Sequence, residues 1–408
     1  MSGPDAVAVT VAVHTEGLDL RAGTAFIQER RGTVSTTFTY DSDFQSDHRG
    51  FAISPDLPLS GARHHVVGLP GTFSDSAPDR WGRNLIDKRA RGQARREGQP
   101  APSVSEVDYL LGVSDLTRQG ALRFAVGDGP FLAAETAVPQ LIELPRLLQA
   151  ADEVTNDSDS GLAAVKTLLD AGTGSLGGAR PKASVRAGDR LLIAKFPHPG
   201  DTWDVMAWEK TALDLADRAG IPVPVRQLVT VDGRHALLLE RFDRDESRRV
   251  AYMSAMSLVG GRDGGSFDFL EVAEALAAQG AAVKMDLAQL WRRIAFSLAI
   301  NNTDNHLRNH GFLHGRGGWL LAPAFDLNPN PDTQAEPVTS IGFATGPRTG
   351  QMEALLASAP DFRLTPQAAS AVAGDVAAAV RHWRAVAIAN SVSKPECDLF
   401  ADCFAGLS

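Results

Sequence analysis

The stretch "NNTDNHLRNHGF", residues 301–312, places polar side chains directly after an apolar pattern with helical spacing. Within it, Asp304 and Asn309 have the D-x-x-x-x-N spacing of loops that transfer phosphoryl groups. A carboxylate at the first position can orient a hydroxyl group and accept its proton, and an amide oxygen at the second can bind Mg²⁺. The stretch therefore predicts a catalytic loop in which Asp304 is the general base.

A second acidic residue follows this loop after a short hairpin-like segment. The stretch "APAFDLNP", residues 322–329, supplies Asp326, whose carboxylate would bind Mg²⁺ beside Asn309. Mg²⁺ prefers oxygen ligands and keeps water and phosphate among them, so two protein donors suffice. His306, inside the first stretch, has three open interpretations: a core histidine, a nucleotide contact or a support for Asp304.

Upstream of the catalytic loop, a lysine and a glutamate occur within stretches that are otherwise apolar. Lys195 lies in the short apolar strand "LLIAKF", and Glu209 shares a helix face with Met206 and Leu213. A buried charge without a partner strongly destabilises a fold. A strand lysine followed by an inward-facing helix glutamate is the ion pair that positions nucleotide phosphates in protein kinases. The two residues therefore predict an ion pair beside the ATP phosphates.

A glycine-rich segment, "GTGSLGGARPK" at residues 172–182, precedes the lysine strand. Glycines let backbone N–H groups approach phosphate oxygens closely. The segment matches neither the GxxxxGK[ST] nor the GxGxxG pattern, so a phosphate-binding loop and a flexible linker both stay open.

Composition and charge are those of a folded, soluble chain. The 408 residues are 44% apolar and 22% charged, and the formal net charge of −9 argues against broad nonspecific binding to nucleic acid. The two cysteines, Cys397 and Cys403, cannot form a disulfide framework, and the N-terminus lacks the pattern of a signal peptide. No apolar run reaches the length of a membrane span. We expect a cytoplasmic protein without direct membrane contact, whose contact with DNA is indirect or weak.

Periodicity changes twice along the chain. The first hundred residues alternate like β-strands, as in "AVAVTVAVH"; a strand–helix–strand region follows, and helical patterns dominate beyond residue 255. The Asp232-Gly233 pair is a strong signal for a tight hairpin turn. The length indicates more than one core. We predict an α+β chain with a β-rich N-terminal accessory subdomain at 1–130, an α/β subdomain with phosphate loop and hinge at 131–255, and a helical lobe with the catalytic loop at 256–408.

Several further stretches occur in combination with the catalytic loop. They are "GSLGGARPK", "AKF", "LLLERFDR" and "APAFDLNP", together with "FSDSAPDRWGR" and "YLLGVSDLTRQGALRF" nearer the N-terminus. Over roughly residues 60–330 the chain thereby resembles the HipA family of bacterial toxin–antitoxin serine/threonine kinases. The resemblance implies a bilobal, protein-kinase-like fold with a β-rich N-terminal accessory subdomain and an all-helical C-terminal lobe.

The resemblance also implies roles for individual residues. Asp304 would be the catalytic base, and Asn309 and Asp326 would be the Mg²⁺ ligands. Ser175 matches the loop serine that family members autophosphorylate, which inactivates them by expelling the loop. The phosphate loop, the Lys–Glu pair, the hinge and two contacts near the catalytic loop would bind ATP: Gly177, Gly178, Ala179, Arg180, Pro181, Lys182, Lys195, Glu209, Glu240, Phe242, His306 and Phe325. The two hinge residues, in "LLLERF", would contact adenine through their backbone.

The motifs of ordinary protein kinases are altered here. "NTD" stands in place of HRD, "FDL" in place of DFG, and no APE motif is visible. These departures are usual among HipA-like chains, and they weaken any transfer of activation-loop regulation. The family resemblance further implies a cytoplasmic protein substrate, such as an aminoacyl-tRNA synthetase, and a DNA-binding antitoxin as partner.

Two other functions stay open beside the serine/threonine kinase. A small-molecule phosphotransferase of the aminoglycoside or choline kinase kind shares the D-x-x-x-x-N loop and the later aspartate. A catalytically silent partner that stabilises a DNA-bound antitoxin would not need the complete Lys–Glu–Asp–Asn–Asp set. The β-rich N-terminus, the "GSLGGARPK" stretch and that complete set favour the ATP- and Mg²⁺-dependent protein kinase.

Overall fold

The computed structural model describes the chain except for residues 1–5, 31, 132–137, 157–161, 173–177, 179, 246–247, 263, 343–347 and 406–408. Three predicted site residues, Ser175, Gly177 and Ala179, lie outside the described residues. The chain divides into two compact units: unit 1 comprises Met1–Gly200 and Thr230–Met253, and unit 2 comprises Asp201–Val229 and Ser254–Ser408. The subdomain boundaries predicted near residues 130 and 255 stay predictions.

In chain order the strands are β1 (Val7–Thr15), β2 (Leu18–Arg30), β3 (Thr33–Tyr40), β4 (His64–Val67), β5 (Leu122–Val126), β6 (Lys182–Ala187), β7 (Arg190–Lys195), β8 (Arg226–Val231), β9 (Arg234–Glu240), β10 (Arg244–Asp245), β11 (Arg248–Arg249), β12 (Tyr252–Ser254), β13 (Gly311–Gly315) and β14 (Gly318–Leu321).

The α-helices are α1 (Ser42–Ser46), α2 (Gly71–Ser76), α3 (Arg80–Arg96), α4 (Glu106–Leu111), α5 (Leu144–Thr155), α6 (Leu162–Asp170), α7 (Val205–Arg218), α8 (Ala255–Leu258), α9 (Phe269–Gln279), α10 (Val283–Ala299), α11 (Arg348–Ala357), α12 (Pro366–Val380), α13 (Trp383–Ala389) and α14 (Lys394–Leu399). Short 3₁₀ turns cover Leu141–Glu143, Leu307–Asn309, Ala359–Phe362 and Ala401–Phe404.

The N-terminal sheet of unit 1 has five antiparallel strands in the order β4, β3, β2, β1, β5. Val9, Val11 and Val13 of β1 are buried, as the alternating pattern predicts. A register shift between Val11 and Ala12 interrupts that alternation, and Ala12 is buried as well. The sheet therefore packs an apolar face inward along most of β1.

The second sheet of unit 1 contains the strands predicted to bind the nucleotide. β6, β7 and β9 are antiparallel neighbours, and the end of β8 lies beside β9. Asp232 and Gly233 have φ values of 47° and 74°, as a type I′ turn requires, which confirms the predicted hairpin turn. Helices α3, α5 and α6 form a separate core through residues such as Trp81, Val154 and Leu168.

Helices dominate unit 2, with α10 at their centre. Leu287, Leu290, Ile294 and Leu298 of α10 are all buried, as their helical spacing predicts. A second apolar cluster joins α7 to the C-terminal helices, where the Trp208 ring stacks on Phe400 with 4.1 Å between centroids. Among the described residues, no helix is long and apolar enough to cross a bilayer.

One hairpin, β13–β14, lies among these helices and corrects the expectation of an all-helical C-terminal lobe. Its register pairs Phe312 with Leu321; Gly317 in the turn and Gly318 at the start of β14 have φ values of 85° and 139°. The physical reason is local: two glycines at positive φ permit a reversal within a few residues, and a helix cannot make that reversal. The hairpin joins the predicted catalytic loop to the segment that contains Asp326.

Candidate functional site

The loop of residues 301–309 begins where α10 ends. Asn301 has a φ of 54°, in the left-handed region that asparagine tolerates better than most residues. Its side-chain amide donates hydrogen bonds to the backbone oxygens of Asn330, at 2.6 Å, and Asp332, at 3.0 Å. The loop closes with the 3₁₀ turn Leu307–Asn309. A fixed turn at each end therefore holds the polar run in a defined loop.

Asp304 and Asn309 are brought together by this loop. The Asn309 side-chain amide donates a hydrogen bond to the backbone oxygen of Asp304 at 3.0 Å. This bond occupies the amide nitrogen and leaves the Asn309 Oδ1 atom as an acceptor for another ligand. The Asp304 side chain is 75% exposed, and His306 Nε2 lies 4.0 Å from its Oδ1 atom. The Asp304 carboxylate is therefore accessible to a substrate hydroxyl.

The pKa of Asp304 is raised above its ordinary value. Although the side chain is largely exposed, desolvation by the surrounding loop raises the pKa, the His306 ring opposes that rise, and the Asp326 carboxylate adds to it. The influence of Asp326 means that two carboxylates repel each other across this site. A divalent cation would relieve that repulsion.

Asp326 lies beyond the end of β14 with its backbone in the left-handed region, at a φ of 56°. Non-glycine residues in such conformations concentrate at ligand sites, because the surrounding fold must hold them there. The Asp326 carboxylate and the Asn309 Oδ1 atom are hard oxygen donors and would hold Mg²⁺. Among the described residues, no group of three or more His, Cys, Asp or Glu side chains is placed to hold a metal ion, so phosphate and water would complete the ligand set of a Mg²⁺ bound here.

Residues 328–340 support the catalytic loop, and the sequence did not single them out. The Asn330 side-chain amide donates to the Thr303 hydroxyl at 2.8 Å, and the Val338 amide donates to the Thr303 backbone oxygen at 3.0 Å. The Thr339 hydroxyl donates to the Asn305 backbone oxygen at 2.8 Å. These partners lie far apart in sequence, so only the polar character of the segment hinted at its role.

In unit 1, the end of the β6–β7 hairpin places two lysines side by side. Lys182 begins β6 and is the register partner of Lys195 at the end of β7, and both are buried. Gly178 has a φ of 100°, and a β-carbon on it would lie 2.3 Å from Lys182 Nζ. The lysine end could move away, but the positive φ of Gly178 is a backbone conformation that favours glycine. Two lysines at the same end of one hairpin, with a glycine near the first of them, are residue types that could contact phosphate.

The predicted hinge follows β9. Glu240 ends that strand, and its carboxylate accepts a hydrogen bond from Arg190 at 3.1 Å. The Glu240 backbone is the register partner of Leu192 in β7, so the adenine contact that the family resemblance implies stays a prediction. The Phe242 ring lies 6.3 Å from that of Tyr252.

Three charged residues flank or follow Phe242: Arg241, Asp243 and Arg244, hereafter the hinge cluster. Asp243 is buried and accepts hydrogen bonds from Arg241 at 2.8 and 2.6 Å, from Arg244 at 2.9 Å and from the Gly120 amide at 2.7 Å. Burial alone would raise the pKa of Asp243, but the two guanidinium groups outweigh it and hold that pKa well below its usual range. The hinge cluster therefore attaches the hinge to the segment around Gly120.

Comparison with family models places this arrangement among known proteins. A model of the HipA-like C-terminal domain matches residues 174–383, more than half of the chain, and a model of the HipA N-terminal domain matches residues 18–100. The chain belongs to the HipA family. The resemblance predicted from the motifs is thus confirmed, and the C-terminal match includes every predicted site residue of this HipA-family chain.

One solved structure extends the likeness in fold over nearly the whole HipA-family chain. The Shewanella oneidensis MR-1 HipA, solved in a complex with HipB and operator DNA, is 19% identical with a TM-score of 0.68, covering 98% of this chain and 96% of that chain. That match shows the same mixed α/β fold. The Helicobacter pylori proinflammatory kinase CtkA is 15% identical with a TM-score of 0.39, covering 57% of this chain and 93% of its own. The Streptococcus pneumoniae choline kinase LicA is 12% identical with a TM-score of 0.22, covering 57% and 91%. A sequence search among curated proteins found no match.

The predicted site of this HipA-family chain is distributed over both units. Unit 1 contains the described residues of the phosphate loop, the strand lysine and the hinge: Gly178, Arg180, Pro181, Lys182, Lys195, Glu240 and Phe242. Unit 2 contains the others: Glu209, Asp304, His306, Asn309, Phe325 and Asp326. Lys195 and Glu209 are both buried but belong to different units, so their ion pair stays a prediction.

Proposed function

We propose that this HipA-family chain is an ATP- and Mg²⁺-dependent serine/threonine protein kinase. The observation that carries the proposal is the juxtaposition of Asp304, Asn309 and Asp326 in unit 2. Asn309 bonds to the Asp304 backbone, and the Asp326 charge acts on the Asp304 carboxylate. These three groups, in this order along the chain, are what phosphoryl transfer to a hydroxyl requires.

In the proposed reaction, the hydroxyl oxygen of a serine or threonine attacks the γ-phosphorus of ATP. The bond from that phosphorus to the bridging oxygen breaks, ADP leaves, and the hydroxyl proton passes to Asp304. A raised pKa makes the Asp304 carboxylate a stronger proton acceptor. Bound Mg²⁺, held by Asn309 and Asp326, would neutralise phosphate charge.

The phosphates of ATP would lie near the two buried lysines of unit 1. Lys182 and Lys195 are register partners, and Gly178 gives backbone access beside Lys182. The roles proposed for Arg180 and Pro181 in the phosphate loop, and for Glu240 and Phe242 at the adenine, rest on the family resemblance.

We propose a protein as the phosphate acceptor. The Asp304 side chain is 75% exposed, which suits a hydroxyl presented by a large substrate more than a small alcohol held in an enclosed pocket. Among proteins, the family resemblance makes translation components such as aminoacyl-tRNA synthetases the first class to examine, together with Ser175 of the chain itself.

We also propose that the chain binds a DNA-binding antitoxin. Membership of the HipA family supports this partner, as does the fold shared with a HipA chain that was solved with HipB and operator DNA. A formal net charge of −9 favours contact with DNA through the antitoxin rather than directly.

The decisive experiment is transfer of labelled phosphate from ATP. Purified chain and the Asp304→Asn variant are incubated, with Mg²⁺ or with a chelator, with candidate proteins and with small alcohols such as choline and aminoglycosides. We expect labelled serine or threonine on protein, lost in the variant and in the chelator. Label on small alcohols alone would identify a small-molecule phosphotransferase. Antitoxin binding without any transfer would identify a catalytically silent partner.

A further inference from the structure

A small cavity in unit 2 lies between α10 and the predicted catalytic segments, and both polar and apolar side chains line it. Its walls include Arg293 and Ser297 of α10, Asn305 and His310 of the loop region, and Phe325, which precedes Asp326. Arg293, Ser297 and His310 are each at least 96% buried. The cavity therefore contacts the helix before the catalytic loop and both segments that carry predicted catalytic residues.

Three residues that line this cavity carry four buried polar atoms that make no hydrogen bond within the part of the chain that the structure describes. They are Nε and Nη1 of Arg293, Oγ of Ser297 and Nδ1 of His310. Arg293 does donate from Nη2 to the Ala322 backbone oxygen at 2.6 Å, so its guanidinium is fixed in place. A buried polar atom without a partner costs about 1–3 kcal/mol, and four of them around one cavity indicate a shared ligand.

The chemistry of the four atoms selects the ligand. His310 Nε2 lies 2.9 Å from Asn305 Oδ1, which assigns the ring proton to Nε2 and leaves Nδ1 as an acceptor. The Arg293 nitrogens can only donate. A ligand that accepts from Arg293 and also donates to His310 must have both capacities, which water has and a halide lacks. The cavity has room for about one water molecule.

We propose that one ordered water occupies this cavity and links Arg293 to His310, so that these two side chains act as positioning residues for the catalytic loop. His310 holds the side chain of Asn305, the neighbour of Asp304, and the His310 backbone oxygen accepts a hydrogen bond from Ala255 at 2.7 Å. The water thereby connects α10 to the loop. The positioning role rests on the proposed function, whereas the water site does not.

The water site is tested by a crystal structure at atomic resolution. We expect a solvent peak within hydrogen-bonding distance of Arg293 Nε or Nη1 and of His310 Nδ1. A dry cavity would overturn the proposal. Soaking the crystal in bromide distinguishes water from a halide ion. An anomalous peak at this position would show a halide site and overturn the assignment to water.

The positioning role is tested with Arg293→Met and His310→Phe, with His314→Phe as the matched control. His314, unlike the buried His310, is partly buried; its ring lies 5.1 Å edge-on from that of Trp319, and it does not line the cavity. We expect the first two variants to accelerate amide hydrogen exchange in residues 301–309 and to lower kcat about 10- to 100-fold with little change in KM for ATP, as outer-shell changes do. The control should change neither quantity.

If His310→Phe and His314→Phe had the same hydrogen exchange in residues 301–309 and the same kcat, the positioning role would be overturned. If Arg293→Met does not fold, Ser297→Ala removes one ligand of the water with little change in volume and gives the same comparison. If the wild-type chain transfers no phosphate, the proposed function fails. Hydrogen exchange in residues 301–309 and the solvent peak still decide the linkage between Arg293 and His310.

Discussion

Two aspartates, Asp304 and Asp243, differ in their surroundings, and the difference suits one to catalysis and the other to a structural role. Asp304 is largely exposed and its pKa is raised, so it can take up a proton from a substrate. Asp243 is buried between Arg241 and Arg244, and its pKa is held well below the usual range. A carboxylate with a lowered pKa is a weaker proton acceptor than one with a raised pKa, so Asp304 suits the role of a base better than Asp243 does.

Replacement of Asp304 by asparagine should preserve the fold and remove the proton acceptor. We expect Asp304→Asn to bind nucleotide normally and to lower kcat by about 10²- to 10⁴-fold, the usual loss for a general base. Steady-state kinetics and a binding titration measure the two quantities. Near-full activity in this variant would show that another group accepts the proton.

His314 should make stability depend on pH. Burial lowers the pKa of His314 to about 4, whereas an unfolded histidine titrates near 6.5. The unfolded chain therefore binds more protons between these values, so this stabilisation is complete above about pH 6.5 and is lost as the pH falls towards 4, at up to about 1.4 kcal/mol per pH unit. His314→Phe should flatten the curve of unfolding free energy against pH. An unchanged slope would contradict the shift.

At the scale of elements, the hairpin β13–β14 connects the two predicted Mg²⁺ ligands. We expect Asn309→Ala and Asp326→Ala to weaken ATP binding in Mg²⁺ by more than in chelator, because both remove oxygen donors. Calorimetric titration under both conditions measures the difference. Asp332→Ala is the control, since Asp332 caps the nearby Gln334 amide at 2.9 Å and is not a predicted ligand. Equal losses with and without Mg²⁺ would indicate a folding defect instead.

The hinge cluster should contribute strongly to the stability of unit 1. Asp243→Asn leaves two buried guanidinium groups without their carboxylate, and breaking such a pair typically costs about 3–5 kcal/mol. Urea unfolding followed by fluorescence measures the change. The control is Asp41→Asn, whose partly exposed pair with Arg21 at 3.0 Å should contribute at most about 1 kcal/mol. Similar losses in both variants would argue against a special role for the cluster.

Local patterns predicted the elements more completely than the contacts between them. The alternation in β1, the Asp232-Gly233 turn and the spacing in α10 were all readable, because each is set by neighbours along the chain. The hinge cluster joins residues more than 120 positions apart, and residues 328–340 reach back to Thr303. Such pairings depend on tertiary packing, and no periodicity encodes them.

In the candidate site, too, local spacing predicted some residues and missed those that only tertiary packing brings together. The spacing of Asp304 and Asn309 placed both residues in one loop, and their hydrogen bond agrees with that prediction. The cavity residues Arg293 and His310 were missed, because an arginine in a helix usually faces solvent and a single histidine just before a strand is usually part of the core. Arg293 and His310 stand out because both are buried beside the same cavity, and burial is known only once the fold is known.

At the scale of the whole molecule, activity should decline after self-phosphorylation. Ser175 precedes Gly178 and the lysine pair, and a phosphate on it would add about −1.5 to −2 charges that compete with ATP for that pair. We expect incubation with Mg·ATP to modify Ser175 and to reduce transfer to other proteins, while Ser175→Ala stays active. Mass spectrometry and a time course of activity decide this. If Ser175 stayed unmodified while other proteins were phosphorylated efficiently, the prediction of self-inactivation would be wrong. The proposal that the chain is a kinase would still stand.

The two cysteines give unit 2 a built-in reporter of opening. Cys397 and Cys403 are fully buried, burial raises the pKa of Cys403 to about 12, and its thiol donates to the Asn330 backbone oxygen at 3.0 Å. Asn330 is also the residue that binds Thr303 beneath the catalytic loop. An alkylating reagent can therefore reach Cys403 only while the C-terminal turn is detached from this support. The rate of thiol labelling, measured with and without nucleotide, would therefore report how often the support of the catalytic loop opens. No added probe is needed, because the cysteines are native.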